Sequence, residues 1–340
     1  MRAVRFHAHG GPEVLALETA PDPEPRTGQV VVRVHACALN HLDLWQRRGL
    51  DRVTIPFPHI SGAEVSGDVA AAPGGEFAAG TRVLLQPGLS CGRCEACVGG
   101  RDNTCADYDV LGYRSDGGYA EYVQVPAVNV VPIPDSVSYV DAAAFPLTFL
   151  TAWHMLVTRA RVAAGESVLV LAATSGVGQA AIQVARLHGA RVIATAGSEV
   201  KLEHARALGA HDVIDHHATD IAVEVRRLTN RRGVDVVVEH VGQATWAKSV
   251  RSLAPGGRLV TCGNTTGWDA AIDLRFLFSR QLSLLGSYMG TKAELLQAAR
   301  FFFDGRFRPL VDAVLPLAAA ADAHRRLEAG DVCGKLVLTP

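Results

Sequence analysis

The sequence has no apolar run approaching the roughly 20 residues that cross a bilayer, so no membrane span is expected. It has no excess of either charge: 33 Lys and Arg stand against 34 Asp and Glu, a net charge of −1. A chain so balanced carries no basic footprint, and neither nucleic acid nor an anionic membrane is expected as a partner. The opening residues, MRAVRFHAHGGPEVL, lack the apolar core of a signal peptide, which predicts a cytoplasmic protein. There is no internal repeat and no low-complexity tract. What is there is the composition of a folded soluble protein, 49% hydrophobic and 20% charged over 340 residues, enough for two domains.

The most informative stretch is VLVLAATSGVGQ, from Val168 to Gln179. Its apolar start reads as a buried parallel strand. Small residues follow (Thr174, Ser175, Gly176, Val177, Gly178), then AAIQVARLHGA, with apolar residues at helical spacing and a stop at Gly189. Strand, small-residue turn and helix start make the geometry that binds a dinucleotide pyrophosphate, because the backbone can approach the phosphates and the first amides attract negative charge. The strict glycine pattern is incomplete, with Ala173, Ser175 and Gly178 at its three positions.

Residues 1 to about 130 read as all-β, with Val-rich runs (VVVRVHACAL, AEVSGDVAA, TRVLLQP, YAEYVQVP) separated by Gly and Pro; this predicts a compact barrel or sandwich. From Asp141 the period changes. DAAAFPLTFLTAWHMLV reads as one helix, and strands then alternate with helices through RVIATA, DVI, VDVVVEH, GRLVTCG and LSLLGSY. Six strands with intervening helices predict a doubly wound parallel sheet over 131–290. The tail, 291–340, holds two helices and a last strand, GKLVLTP, and is expected to pack back on the first domain.

Seven cysteines are present, and Cys91, Cys94, Cys97 and Cys105 form C-x2-C-x2-C-x7-C in one glycine-rich loop. In a reducing compartment this clustering favours a metal over disulfides. Four thiolates close a tetrahedral zinc shell with no open position, so one structural zinc is expected; free thiols or an iron–sulfur cluster are the alternatives. Cys37, Cys262 and Cys333 sit in or beside apolar runs and are expected to be buried.

The β-rich first part, the CGRCEAC loop, NHLDLWQRRG, PHISGAEVSG, GGYAEYVQVP, ATSGVGQAAIQVA, LAPGGRLVTCGN and GKLVL together resemble the medium-chain dehydrogenase/reductase family over essentially the whole chain. The resemblance implies a GroES-like β-rich catalytic domain (1–130, joined by 291–340), a Rossmann domain with a six-stranded sheet (131–290), a cleft between them, and hydride transfer with a nicotinamide. Zinc alcohol dehydrogenases of the family hold a catalytic zinc where this chain has Asn40, Ala63 and Leu147 or Thr148, none of them a competent ligand. His41 and His59 lie near these positions, but pocket or surface roles are expected of them, and Glu64 is expected to be a pocket or structural carboxylate. The run Asn40, Asp43, Arg47, Gly49 is similar to the quinone oxidoreductase and enoyl reductase branch, although many of those proteins lack the four-cysteine loop. The implied activity is zinc-independent reduction of a quinone or of the C=C of an α,β-unsaturated carbonyl. Asn40, Asp43 and Thr148 are the catalytic candidates, and Arg47 is a candidate for substrate, cofactor or a surface ion pair.

For the cofactor, the second strand of the nucleotide domain lacks the acidic residue that accepts from a ribose 2′-hydroxyl; Ala196 and Gly197 stand there. Ser198 and Lys201 follow, as in NADPH-binding relatives, and can donate to a 2′-phosphate; the resemblance places His216 at a position beside the adenosine, and NADPH is expected. The resemblance places Thr151, Val241, Gly263, Asn264 and Met289 at the nicotinamide end, and Lys335 is a weaker phosphate candidate or a surface lysine. The resemblance implies a homodimer, or a tetramer, and the apolar strand LSLLGSY would then be a sheet edge that pairing with its copy in a second subunit satisfies. Two other readings stay open: an alcohol dehydrogenase with a rearranged zinc site, and a dinucleotide-binding protein without catalysis.

Overall fold

A computed structural model describes residues 1–50 and 53–340. The chain divides into two units, one of residues 1–147 and 291–340, the other of residues 148–290. Residues 131–147, expected with the second domain, therefore fall in the first unit.

The first unit is built on a sheet of β1 (Gln29–Ala38), β2 (Glu64–Ala71), β3 (Arg82–Leu85), β4 (Tyr122–Pro126) and β5 (Val130–Pro132). β1 is its organising strand. It pairs antiparallel with both β2 and β4, and its register slips at Val31/Val32 and Val34/Ala36 let it bend from one partner to another. Val30, Val32 and Val34 meet Val65, Val83, Leu85 and Val123 in the core, as the Val-rich runs predicted. After β1 comes α1 (His41–Arg48), whose N-cap residue, Asn40, donates its backbone amide to the Asp43 carboxylate.

The single helix expected over DAAAFPLTFLTAWHMLV is broken. Its residues lie in α2 (Tyr139–Ala143), in α3 (Pro146–Trp153) and in a π-helical turn, His154–Arg159. The break comes at Pro146, which has no N–H to donate back and starts α3, where that donor is not needed.

The second unit holds β6 (Ser167–Val170), β7 (Arg191–Ala196), β8 (Asp212–Asp215), β9 (Val234–Glu239), β10 (Leu253–Thr261) and β11 (Ser283–Gly286). All neighbours are parallel, in the order β8-β7-β6-β9-β10-β11. This is the doubly wound Rossmann arrangement that the alternating pattern predicted, and its switch point lies between β6 and β9. The connecting helices are α4 (Gly176–Leu187), α5 (Glu199–Ala207), α6 (Ile221–Leu228) and α7 (Gln243–Ser252). β10 starts earlier than the GRLVTCG run suggested: Leu253–Gly256 belong to the strand as well, with an irregularity before Arg258 where the pairing to β9 slips. A short α8 (Leu274–Ser279) was not legible, since six residues are too few for a helical period. β11 is an outer strand of the sheet, and Trp268, Phe278 and Tyr288 near it in sequence are exposed.

The chain ends in the first unit with α9 (Lys292–Phe303), β12 (Val311–Pro316), α10 (Ala320–Glu328) and β13 (Lys335–Thr339). β13 inserts between β12 and β1 and contributes Leu336 and Leu338 to the core. No helix among the described residues is long and apolar enough to cross a membrane.

Candidate active site and metal loop

The turn after β6 is shaped by close packing. A Cβ on Gly178 would lie 2.2 Å from the Ala172 carbonyl oxygen, so only glycine lets α4 start this near the strand. Ala172 itself has a φ of 46°, and Ser175 caps the helix by accepting from the Gly178 amide at 3.0 Å. Helix geometry leaves the amides of Gly176 and Val177 without an intrahelical acceptor, and the first turn of α4 carries no acidic side chain. These features fit a pyrophosphate. At the end of β7, Ala196 is followed by Gly197 and by Ser198, the N-cap of α5, with Lys201 one turn on; His216 follows β8.

At the carboxyl ends of β9, β10 and β11 lies a cavity of about 400 Å³, lined among others by Gly242, Thr261, Gly263, Asn264 and Ser287. Its floor is held by a residue the sequence reading missed. Glu239, fully buried, accepts from the amides of Val241 at 2.8 Å and Gly242 at 3.0 Å, and from the hydroxyls of Thr245 at 3.0 Å and Ser249 at 2.5 Å. The one signal for it is a carboxylate ending the strand VDVVVE straight after three valines. Val241 is thus fixed through its backbone, and Met289 is buried with a φ of 52°. Thr148 and Thr151 lie one turn apart on α3, both buried.

In the first unit the candidate residues gather around a buried carboxylate. Glu64 receives the Lys335 ammonium at 2.8 Å and the Asn40 amide at 3.1 Å on one oxygen, and the Leu147 backbone N–H at 2.7 Å on the other. Lys335 also donates to the Asn40 side-chain oxygen at 2.7 Å and to the Leu39 carbonyl. Lys335 is 3% exposed and Glu64 0%, so the pair is cut off from water. The lysine is therefore not a surface residue: its place in β13, inside the sheet, turns its stem into the core. Asp43 accepts from the Asn40 backbone amide and from the Tyr119 hydroxyl, at 3.0 Å, and burial pushes its carboxyl up to about 6 against these donors. Tyr119 also touches the His324 ring at 3.3 Å, and burial pushes that imidazole down to about 3, with Arg47 beside it adding to the effect.

Arg47 is likewise not a surface residue. Its guanidinium is buried, pairs with Glu328 on α10 and donates to the Gly10 carbonyl at 3.2 Å, so it ties α1 to α10. His59 is buried against Gln46 and the Gly112 carbonyl, with its pKa lowered by burial; His41 is half-buried beside Trp45.

The positions at which a catalytic zinc would need ligands thus converge on one ion pair. Asn40 and Leu147 donate to Glu64, Ala63 precedes it, and Lys335 neutralises it. An amide and two aliphatic side chains offer no ligand set, and the carboxylate is already shared among a lysine, an amide and a backbone N–H. A catalytic zinc does not fit here.

The loop Cys91–Cys105 does fit zinc. Sγ–Sγ separations are 3.5 Å for Cys94–Cys97 and Cys91–Cys105, 3.8 Å for Cys94–Cys105 and 3.9 Å for Cys91–Cys97. A tetrahedron with Zn–S near 2.3 Å has edges of about 3.8 Å. Among the described residues these four are the one group of three or more His, Cys, Asp or Glu side chains close enough to hold an ion. The backbone amide of Arg93, and next that of Cys94, lower the Cys91 thiol to about 6, whereas, against a backbone hydrogen bond to Cys91, burial and the thiol contacts to Cys91 and Cys97 raise that of Cys105 to about 11, so the thiols of the loop act on one another as one group. Of the other cysteines, Cys37 is in the core, whereas Cys262 and Cys333 are only partly covered: the first directly follows β10 at the cavity, the second lies in the loop before β13.

Two family models match the chain. The alcohol dehydrogenase GroES-like domain matches residues 26–135, and the zinc-binding dehydrogenase model matches residues 176–304. The human quinone oxidoreductase is 30% identical over 99% of this chain and 97% of its own length. The chain is a medium-chain dehydrogenase/reductase. An NAD-dependent alcohol dehydrogenase of Sulfolobus acidocaldarius is 32% identical, over 99% of each chain. A solved structure titled NAD-dependent alcohol dehydrogenase is 49% identical, with a TM-score of 0.97 and full coverage of both chains.

In this medium-chain dehydrogenase/reductase the cofactor candidates Ser175 to Gly178, Ser198, Lys201, His216, Val241, Gly263, Asn264 and Met289 all belong to the second unit, at or beyond the carboxyl ends of its strands. Of the catalytic candidates, Asn40 and Asp43 belong to the first unit and Thr148 to the second. Besides Glu239, sequence reasoning missed Tyr119 and His324 as polar members of the first unit's core. Single polar residues inside apolar patterns carry no spacing signal.

Proposed function

We propose that this medium-chain dehydrogenase/reductase is an NADPH-dependent reductase of quinones or of the C=C of α,β-unsaturated carbonyls, working without a catalytic zinc. The observation that carries this reading is the commitment of Asn40, Leu147 and Glu64 to a buried ion pair with Lys335. Oxidising an alcohol calls for a Lewis acid or base at the hydroxyl. Adding hydride to an already activated acceptor calls only for donors that stabilise the negative charge arriving on oxygen. When bound, the dihydronicotinamide supplies that hydride.

This chain's part is to bind and orient. The amides at the start of α4 hold the pyrophosphate. Glu239 fixes the Val241–Gly242 backbone beside the cavity at the nicotinamide end. Asn40 has one amide hydrogen in the Glu64 contact; its other faces the Ala38 carbonyl at 3.5 Å, a weak bond, and is the donor it retains to offer an oxyanion. Thr148 is the second candidate donor. The 2′-phosphate reading is supported by the absence of a carboxylate at the end of β7 and by Ser198 and Lys201 on its far side.

A second reading, an NAD-dependent alcohol dehydrogenase, is favoured by the similarity to two proteins of that name. One experiment separates the two. NADPH and NADH consumption is followed with simple quinones, enones and enoyl thioesters, NAD+ reduction is followed with alcohols, and zinc is counted in the same preparation. The proposal expects about one zinc per chain and turnover of quinone or enone with NADPH. Two zinc ions per chain together with alcohol oxidation by NAD+ would replace it by the second reading.

A further inference from the structure

Two histidines converge on the bare end of β7. A Cβ built on Gly197 would lie 2.7 Å from Nε2 of His217 and 2.9 Å from Nε2 of His216, so both ring nitrogens close over the one position in the turn that has no side chain. The rings meet edge to face at 4.5 Å between centroids. Their backbone is pinned: the His216 amide donates to the Ala196 carbonyl at 3.1 Å, joining the loop after β8 to the end of β7, and the His217 amide donates to the Asp215 carboxylate at 2.9 Å. His216 is partly covered and His217 exposed.

The charged groups around this pair are of both signs. Asp215, at the end of β8, favours the protonated His216 ring, while Lys201 on α5, Lys248 on α7 and His217 itself disfavour it. Burial is the largest influence, and it keeps the His216 ring below the ordinary histidine range. Glu199, the carboxylate nearest in sequence on α5, is exposed and paired with Arg206 at 2.8 Å. The cluster is thus short of negative charge where a doubly wound fold receives the adenosine ribose. A phosphate there would reverse the balance: a dianion beside two imidazoles favours their charged forms.

We propose that His216 and His217 form a proton-gated clamp for the 2′-phosphate of NADPH, so that preference for the phosphorylated dinucleotide strengthens as pH falls from about 8 to about 6. The proposal rests on the NADPH reading above and adds a mechanism of selection to it. Binding the 2′-phosphate takes up a proton on the pair, and by linkage the affinity for NADP(H) rises as protons become available. A dinucleotide without the 2′-phosphate brings no charge to this position and takes up none. Near pH 6 the phosphate itself begins to gain a proton, which flattens the gain at the acid end.

The test uses the intact protein with NADP+ and NAD+ as probes, titrated calorimetrically at several pH values and in buffers of differing ionisation heat. NADP+ is expected to bind about tenfold more tightly at pH 6 than at pH 8 with net proton uptake, and NAD+ to change less than about twofold with none. The doubly substituted His216→Gln, His217→Gln protein, its fold checked by its melting curve, is expected to lose the NADP+ slope. Lys201→Ala is expected to weaken NADP+ at every pH while keeping the slope. NADP+ preferred by a ratio independent of pH and without proton uptake would overturn the clamp and leave the NADPH reading standing. NAD+ bound as tightly as NADP+ at every pH would overturn both. The proton-uptake measurement is made on the unsubstituted protein, so it decides the matter even where the double variant does not fold.

Discussion

At the scale of the residue, the chain's most consequential choice is a buried lysine at the start of an inner β-strand. A buried ammonium is tolerated only when its charge and hydrogens are matched, and Lys335 finds Glu64, the Asn40 oxygen and the Leu39 carbonyl. Removing one partner leaves the other charge stranded. Lys335→Met is therefore expected to destabilise the protein by about 3–5 kcal/mol, and the double variant Lys335→Met, Glu64→Gln to recover part of that loss. Denaturant melts of both would check it; a double variant no more stable than the single one would show that the lysine acts by packing alone. The pair is a positioning device for Asn40, whose amide it grips at both ends.

At the scale of the element, the four-cysteine loop is anchored at one end, where Cys105 is buried and the Asp102 carboxylate accepts from the Lys292 amide at 3.2 Å, but Cys91, Cys94 and Cys97 are only partly covered and its one helical turn, Glu95–Val98, is four residues long. Zinc is expected to be what orders it. Stripping the metal with a chelator should make the peptide bonds after Arg93 and Arg101 sensitive to trypsin, with cleavage suppressed again when zinc is returned. A metal-free preparation as resistant as the untreated one would remove zinc from this role.

This loop and the β6–α4 turn were the most legible parts of the sequence, because each is a local device whose residues are neighbours in the chain. The six parallel strands were also legible, since buried strands announce themselves as apolar runs. What escaped was set by distant partners or by single residues. The break at Pro146 shows a strong helical period overruled by one missing donor. Lys335, read as a surface or phosphate residue, and Arg47, read as a candidate contact or surface pair, took their roles from Glu64 and Glu328, far off in the chain. Glu239 and Tyr119 are single polar residues whose partners no spacing rule could supply.

At the scale of the whole molecule, two buried groups of the first unit give stability opposite dependences on pH. Asp43 sits at about 6 in the folded protein against an ordinary 3.8. The folded state binds its proton more tightly than the unfolded one, so its contribution is full below pH 3.8 and is lost as pH rises through 6. His324 sits at about 3 against 6.5. The folded state resists its protonation, so its contribution is full above pH 6.5 and is lost as pH falls toward 3. Between about pH 4 and 6 the two slopes oppose each other and flatten the profile. His324→Gln is accordingly expected to gain stability relative to the parent as pH falls below 6.5, by up to a few kcal/mol. Melting temperatures of both proteins from neutral to acid pH are the check, and parallel curves would refute the assignment.

The first unit's discontinuity also sets an order of events during synthesis. A ribosome releases residues 148–290 as one uninterrupted stretch, able to close its own parallel sheet as it emerges. The first unit has by then exposed the edge of β1 where β13 belongs, and Glu64 has no counter-ion. Its final assembly waits for residues 291–340, and a nascent chain stalled before Lys335 would present that unfinished edge to chaperones and proteases.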